Sequence, residues 1–293
     1  MTDPLPAPPA PPAPPAPPVL PHSAALPELP DLPELPGPGD LPALPTLGPV
    51  SRQAPPGGAR RLWQRAVVTM LRMETRRART LQLELPPGSP AHVPGQHYVV
   101  RAARDDGSWA QRSYSVASAP DRQTVPGAAR RIELTVELLA DGELSPFLHA
   151  VVVGDELEVR GPFGGWFIWR GEGPALLVGG GSGVVPLMSM ERYWRAGGRL
   201  QPLRMLYSVR SPDDVYYRDE LGPETTLIYT RRAPAGVSRP PGRVDAESLR
   251  PLLLPGATCY VCGSAGFAEH ASRLLVDLGV AATDVRLERF GPS

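Results

Sequence analysis

Ala175-Leu176-Leu177-Val178 runs directly into Gly179-Gly180-Gly181-Ser182-Gly183-Val184-Val185-Pro186, and the reading of this stretch decides the fold. The short apolar run predicts a strand buried on both faces. The glycines predict a tight turn, and the periodic residues from Val184 to Arg195 predict an amphipathic helix. A strand, a glycine turn and a helix make an anion site. The backbone can approach a pyrophosphate closely, and the helix start offers unpaired N–H groups and a positive dipole end. Beyond this unit the rhythm repeats. Strands are expected to end near Tyr207, Tyr229 and Val261, and a second helix to run from Ala265 to Leu278 and stop at Gly279. Such alternation implies an α/β domain with a parallel sheet, which binds its ligands at the carboxyl ends of its strands.

Upstream the pattern changes to period two. Ala66–Met70, Thr80–Leu85, Gln96–Val100 and Ile132–Leu138 read as strands, as does the alternating run closed by Arg112-Ser113-Tyr114-Ser115. Pro86-Pro87-Gly88, Pro94-Gly95, Asp105-Asp106-Gly107, Pro126-Gly127 and Asp141-Gly142 separate them as turns. Short strands at this spacing predict a small antiparallel Greek-key β-barrel. One helix is expected from Ser145 to about Val152, with Ser145 as its cap and Pro146 in its first position. The expected organisation is a proline-rich tail over 1–58, the barrel over 59–170 and the α/β domain over 171–293. Ala-Pro-Pro and Leu-Pro-Glu-Leu-Pro repeats fill the tail. Proline lacks an N–H and fixes φ, so a disordered, polyproline-rich tether is expected there, with docking to an aromatic-lined groove as the alternative.

Arginine alone supplies the basic charge. Lys plus Arg and Asp plus Glu number 30 each, so the net charge is zero and no global field favours nucleic acid. No apolar run is long enough to span a membrane, and the proline-broken N-terminus does not resemble a signal peptide, so a cytoplasmic protein is expected. The two cysteines, Cys259 and Cys262, are too few for a disulfide framework or a four-cysteine iron–sulfur site. They fall inside a strand, where residues three apart face opposite sides. No metal site is expected.

Taken in order, Arg112-x-Tyr114-Ser115, Gly142-Glu143-Leu144-Ser145, Gly161-Pro162-Phe163-Gly164, Gly181-x-Gly183-x-x-Pro186, Cys262-Gly263-Ser264 and the closing Glu288-Arg289-Phe290-Gly291 resemble the ferredoxin–NADP⁺ reductase superfamily. The likeness spans roughly residues 62–293. It implies an FAD-dependent NAD(P)H oxidoreductase with FAD on the barrel and the nicotinamide nucleotide on the α/β domain, hydride passing from nicotinamide C4 to flavin N5. Arg112 can pair bidentately with a flavin phosphate. Tyr114 offers a flat ring for the isoalloxazine. Ser113 accompanies them on the strand, and Ser115 can hydrogen-bond near N5. The start of the 145–152 helix, Gly142, Glu143, Leu144 and Ser145, is placed at the flavin pyrophosphate. The likeness adds the backbone of Val136, Glu137 and Leu138 to the flavin site, Cys262 and Gly263 to the nicotinamide, and Glu288 as the acid that orients it. It sets Phe290 over the outer flavin face, although the following Gly291-Pro292-Ser293 would present the ring from a turn.

Gly181, Ser182, Gly183 and Pro186 form the nucleotide turn, with Pro where the usual dinucleotide fingerprint has a third Gly. Proline is tolerated in the first turn of a helix. An NAD site normally places an acid about twenty residues on. Here Ser208 and Arg210 end one strand and Thr230 and Arg231 end the next, which favours NADP over NAD, although Asp213 and Asp214 weigh against it. The expected acceptor is a separate small electron carrier of the ferredoxin type. A reductase of free flavin, quinone or ferric chelate is the alternative enzyme. A non-catalytic, proline-tailed adaptor is the alternative that is no enzyme at all.

Overall fold

The computed structural model describes residues 62–104, 108–121, 128–139 and 142–290. The tail reading over 1–58 lies outside these residues, as do the turns read at Asp105–Gly107 and Pro126-Gly127, Asp141, and the closing Gly291-Pro292-Ser293.

The first lobe is an antiparallel sheet of six strands: β1 (Gln64–Thr75), β2 (Ala78–Leu85), β3 (His97–Ala103), β4 (Trp109–Ser115), β5 (Arg130–Glu137) and β6 (Glu156–Phe163). Their order is β4-β3-β6-β1-β2-β5. A bridge from Val116 to Leu134 and the bond from Ala117 N to Glu133 O (2.8 Å) join the two edges, so the sheet closes into a Greek-key barrel. Alternate residues face inward. Val68, Leu81, Leu83, Val100, Leu134, Val136 and Val159 are almost fully buried there. Leu144, Leu148 and Val151, from helix α1 (Leu144–Ala150) and its end, plug one mouth of the barrel.

The second lobe is a five-stranded parallel sheet of β7 (Ala175–Gly180), β8 (Leu203–Val209), β9 (Thr225–Tyr229), β10 (Thr258–Ser264) and β11 (Val285–Phe290). Its order is β11-β10-β7-β8-β9. The chain leaves β7 toward β8 on one side and later returns to β10 on the other, so the strand order reverses between β7 and β10. Both faces of β7 are covered. Ala175 and Leu177 pack with Val184, Leu187 and Met188 of α2 (Val184–Ala196). Leu176 and Val178 pack with Ala268, Ala271 and Leu275 of α4 (Ala265–Asp277). Gly279, at φ +95°, ends that helix region in the left-handed conformation. The short α3 (Ala246–Leu249) opens on a capping box in which Asp245 and Ser248 exchange bonds.

Polar side chains lock the lobes together. Arg192 on α2 reaches Glu133 of β5 (2.8 Å), the carbonyl of Ala117 (3.0 Å) and Glu220 (2.6 Å). The Tyr217 hydroxyl bonds Thr135 Oγ1 at 2.6 Å, and Ser189 donates to Ser118 O at 2.7 Å. This junction holds the end of β4 beside the first turns of α2.

Sequence patterns alone indicated no strand at β6 or β11 and no helix at α3, and they misplaced α1. The helix starts at Leu144, not Ser145, and its N-cap Glu143 makes no side-chain cap bond. Ser145 lies inside the helix, where its Oγ accepts from Leu139 N (3.1 Å) and closes the preceding loop. Burying Leu144 in the barrel mouth outweighs the capping preference of serine.

Candidate functional site

Strand β4 carries the first half of the site. It pairs with β3 in the register Tyr98↔Tyr114, Val100↔Arg112 and Ala102↔Ala110. Ala110, Arg112 and Tyr114 therefore share one face, and Ser113 and Ser115 turn to the other. Arg112 is exposed and donates to Gln111 O (2.9 Å). It forms no ion pair with the described residues, so its guanidinium can meet an anion. Burial pushes the Tyr114 hydroxyl up to about 12, even though Arg112 opposes the shift. The ring is thus a neutral, half-buried platform.

The neighbouring segments are partly committed. Val136 O accepts from His149 Nε2 (3.0 Å). Leu138 N donates to Arg77 O (2.7 Å), and Leu138 O accepts from Arg77 (3.0 Å). Alternate residues of an antiparallel strand direct their peptide groups to opposite sides. With Leu138 bonded toward β2, the peptide groups of Glu137 face the other way, toward the open side. Gly142, Glu143, Leu144 and Ser145 stand beside β4, and Glu143 with Leu144 shares a hollow with Ala110. The Ser145 hydroxyl already serves Leu139, and the Glu143 carboxylate pairs with Arg104 (2.5 Å).

The second half lies along the carboxyl edge of the parallel sheet. Gly181, at φ +55°, turns the chain out of β7 in a conformation that favours glycine. A Cβ on Gly183 would sit 2.2 Å from the Cys262 carbonyl, so only glycine lets the turn press this closely on the end of β10. Ser182 is half-buried between them, and Pro186 is buried in the first turn of α2. These residues and Gly263 border the point where strand order reverses, the crevice in which open α/β sheets hold ligands.

Ser208, Arg210, Thr230 and Arg231 come together in a pocket of 480 Å³ with Arg243, Phe267 and His270. The lining holds three arginines and, among the described residues, no carboxylate. The acids that weighed against an NADP site are engaged elsewhere: Asp213 pairs with Arg232, and Asp214 accepts from Ser211 Oγ (2.7 Å). Arg243 and His270 escaped the sequence reading. Arg243 sits in a loop with no periodicity. It is placed by Arg239, which donates to the Arg243 carbonyl (3.0 Å) and pairs with Asp245 (2.6 Å). His270 donates from Nε2 to Val244 O (2.7 Å).

Between the halves, β10 and β11 set Cys262 opposite Glu288. Cys259 and Cys262 face opposite sides of the sheet, in separate cores, and both are free thiols. Burial pushes Cys259 up to about 12 and Cys262 well above its usual value, so neither is a reactive thiolate at neutral pH. Burial also raises the Glu288 carboxyl to about 7, and its Oε2 is buried without a hydrogen-bond partner among the described residues. A part-buried acid with an unmatched buried oxygen at the carboxyl end of the sheet suits a polar ligand group there. Phe290 ends β11 in register with Ser264, with 40% of its surface exposed.

No helix among the described residues is long and apolar enough to cross a membrane. No cluster of three or more His, Cys, Asp or Glu among them could hold a metal ion.

Residues 67–168 match the family described as oxidoreductase FAD-binding domain, and residues 177–273 match the oxidoreductase NAD-binding domain. A flavohemoprotein of Deinococcus radiodurans is 29% identical over 219 residues, which cover 70% of this chain and 53% of that protein. The ferredoxin–NAD(P)⁺ reductase component of the naphthalene 1,2-dioxygenase/salicylate 5-hydroxylase systems of a Ralstonia species is 27% identical, over 78% of this chain and 69% of its own. The chain thus spans about half to two thirds of the length of these relatives. Among solved structures, the flavohem-like FAD/NAD-binding domain of nitric oxide dioxygenase from Vibrio cholerae superposes with a TM-score of 0.68 at 22% identity, over 78% of this chain and 99% of that one. Phthalate dioxygenase reductase gives a TM-score of 0.61 at 22% identity, over 78% of this chain and 68% of that one.

Proposed function

We propose that this chain, a member of the ferredoxin–NADP⁺ reductase superfamily, is an FAD-dependent NAD(P)H oxidoreductase that draws electrons from NADPH and delivers them to a separate small carrier of the ferredoxin type. The NADPH preference rests on one observation: the pocket at the ends of β8 and β9 gathers Arg210, Arg231 and Arg243 with no carboxylate among its described lining. A 2′-phosphate is a strong acceptor with negative charge, and arginine forks match it. The carrier reading rests on the relatives that are reductase components of multi-protein oxygenase systems.

Three features fit two bound nucleotides: Arg112, which makes no ion pair with the described residues, the glycine contact at Gly183, and the Glu288 oxygen that has no partner among the described residues. The bound cofactors supply the redox chemistry, hydride transfer from nicotinamide to flavin and release of single electrons. The chain supplies the rest. Arg112 neutralises a flavin phosphate. Tyr114 presents a neutral ring, and Ser115 and the Glu137 peptide groups offer hydrogen bonds at the edge of the flavin. The N–H groups around Gly181, Ser182 and Gly183 and the start of α2 bind a pyrophosphate, and Pro186 costs no backbone bond there. Cys262 is an uncharged wall beside the nicotinamide, Glu288 holds charge or a proton next to it, and Phe290 flanks the opening.

Glu288 makes the reaction sensitive to pH. Its carboxyl is mostly protonated below about 7 and ionised above it. An ionised Glu288 would stabilise positive charge on a neighbouring nicotinamide, and a protonated one would not. Flavin reduction should therefore quicken as pH rises through about 7. In Glu288→Gln it should be slower by about 100-fold, an effect of the size seen when one oriented electrostatic partner is lost, and nearly flat with pH. Stopped-flow reduction over pH 5.5–9 reads both, and an unchanged profile would remove Glu288 from the ring.

The acceptor is tested by reducing the protein anaerobically with NADPH and mixing it with [2Fe–2S] ferredoxins, free flavin, a quinone or a ferric chelate. Saturable transfer to a ferredoxin that weakens with salt supports a docked carrier. Fast turnover with the small acceptors alone overturns it. Flavin that NADPH fails to bleach would point to the adaptor.

A further inference from the structure

Tyr217 stands in the left-handed region at φ +55°, a costly conformation for a bulky residue, and only 2% of its surface is exposed. The barrel holds it at both ends. Its backbone N–H donates to Glu74 Oε2 (3.0 Å), and its hydroxyl meets Thr135 Oγ1 (2.6 Å). Thr135 Oγ1 meets Thr80 Oγ1 (2.7 Å), and Thr80 donates to Glu74 Oε1 (2.6 Å). The bonds close a circuit through β1, β2, β5 and the segment that follows β8.

The chemistry of the four groups fixes the direction of every bond. A carboxylate only accepts, so Thr80 spends its single proton on Glu74. Thr80 must then accept from Thr135. Thr135, its own proton spent, must accept from Tyr217. The circuit therefore runs one way, from tyrosine to carboxylate, and each bond polarises the next. Burial pushes the Tyr217 hydroxyl well above its ordinary value, so it keeps the proton that the circuit requires. Arg72 steadies the far end by pairing with Glu74 (2.8 Å), and both threonines are buried.

Position gives the circuit its use. Thr135 directly precedes Val136, Glu137 and Leu138, the segment assigned to the flavin. Tyr217 ends the segment that leaves Arg210 of the NADPH pocket. Arg192 and Ser189 cross the junction from α2, whereas Tyr217 crosses it from the nucleotide edge of the sheet. We infer that Tyr217 is a positioning residue for hydride transfer: through Thr135, Thr80 and Glu74 it sets the distance between the nicotinamide and flavin sites. The inference rests on the oxidoreductase reading above and adds to it the group that aligns the lobes. Loss of the hydroxyl should leave each cofactor bound and spoil only their approach, where an error of about 1 Å costs about 100-fold.

Holoprotein of known flavin content is reduced anaerobically with NADPH in a stopped-flow instrument. Tyr217→Phe keeps the packing and removes one bond. Its limiting rate of flavin reduction should fall about 10- to 100-fold, with FAD still stoichiometric and Kd for NADPH within about twofold of wild type. The long-wavelength absorbance of stacked nicotinamide and flavin should weaken with the rate. Thr135→Val should behave alike, and Thr135→Ser should keep the wild-type rate. Tyr217→Phe combined with Thr135→Val should be no slower than the worse single variant, because the two act through one circuit. One lost hydrogen bond lowers melting by about 2–4 °C, so the variants should remain folded. A wild-type rate and absorbance in Tyr217→Phe overturns the inference and leaves the oxidoreductase reading standing. Loss of flavin, or a rise in Kd that accounts for the slower rate, also overturns it, because the bond would then serve the fold alone. A wild-type holoprotein that NADPH does not reduce overturns both.

Discussion

Arg112→Ala should purify without yellow colour. Arg112 is the exposed cation of the β4 motif, and the described residues give it a single bond, to the carbonyl of Gln111. A bidentate arginine–phosphate contact consists of two charge-assisted hydrogen bonds, each worth about 1.5–3 kcal/mol. Loss of both should weaken FAD binding by about 100- to 1,000-fold or more. Most of the flavin would then be lost during purification. Fold stability is the control. An exposed arginine without a buried partner should change stability by no more than about 0.5 kcal/mol, apart from what bound FAD itself contributes. Apoprotein of wild type and variant should therefore melt together. Arg112→Lys should fall between them, because an ammonium keeps the charge but not the fork. A variant that retains stoichiometric flavin would move the phosphate away from β4.

Much of this fold could be read from the chain because its signals agree with one another. The apolar run of β7, the glycines after it and the periodic α2 all point to one strand–turn–helix unit, and the three reinforce each other. The places where reading fell short have physical reasons. In β11, Arg286, Glu288 and Arg289 interrupt the apolar positions of an edge strand, so no buried run stands out. Ser145 followed by Pro146 has the form of a helix start, but the barrel mouth needed Leu144 and drew the helix one residue earlier. The motif residues on β7, β8, β9 and β10 could be found because each lies at or just past the end of its strand, and parallel strands bring those ends to one edge of the sheet. Arg243 could not. It lies 12 residues beyond Arg231 in a loop braced by Arg239 and Asp245, and only the folded topology brings it beside Arg210. Phe267 was likewise invisible as a site residue. A Cβ on Gly180 or Gly263 would strike its ring at 2.7 and 2.5 Å, so those glycines accommodate it beside the crevice.

Replacing Arg231 and Arg243 together by Ala should abolish the preference for NADPH. The argument turns on which arginines are available. Arg232 is the obvious rival to Arg231 in sequence, but it pairs with Asp213 and does not line the pocket. Arg231 and Arg243 line it together with Ser208 and Thr230, whose hydroxyls can also donate. NADH and NADPH share every group except the 2′-phosphate, so a residue that meets only this phosphate changes KM for one and spares the other. Each lost charge-assisted contact should cost about 1.5–3 kcal/mol, or about 10- to 100-fold in KM for NADPH. The double variant should lose about 1,000-fold, or less if the two arginines share one oxygen, because neighbours that act on one group are not additive. KM for NADH should stay within about twofold. The salt dependence of NADPH binding should fall in parallel, since two cations no longer draw the nucleotide in. Arg232→Ala is the internal control and should leave both values near wild type. Equal losses for NADPH and NADH in the double variant would place the arginines on a phosphate common to both nucleotides, and the preference would then have no structural basis in this pocket.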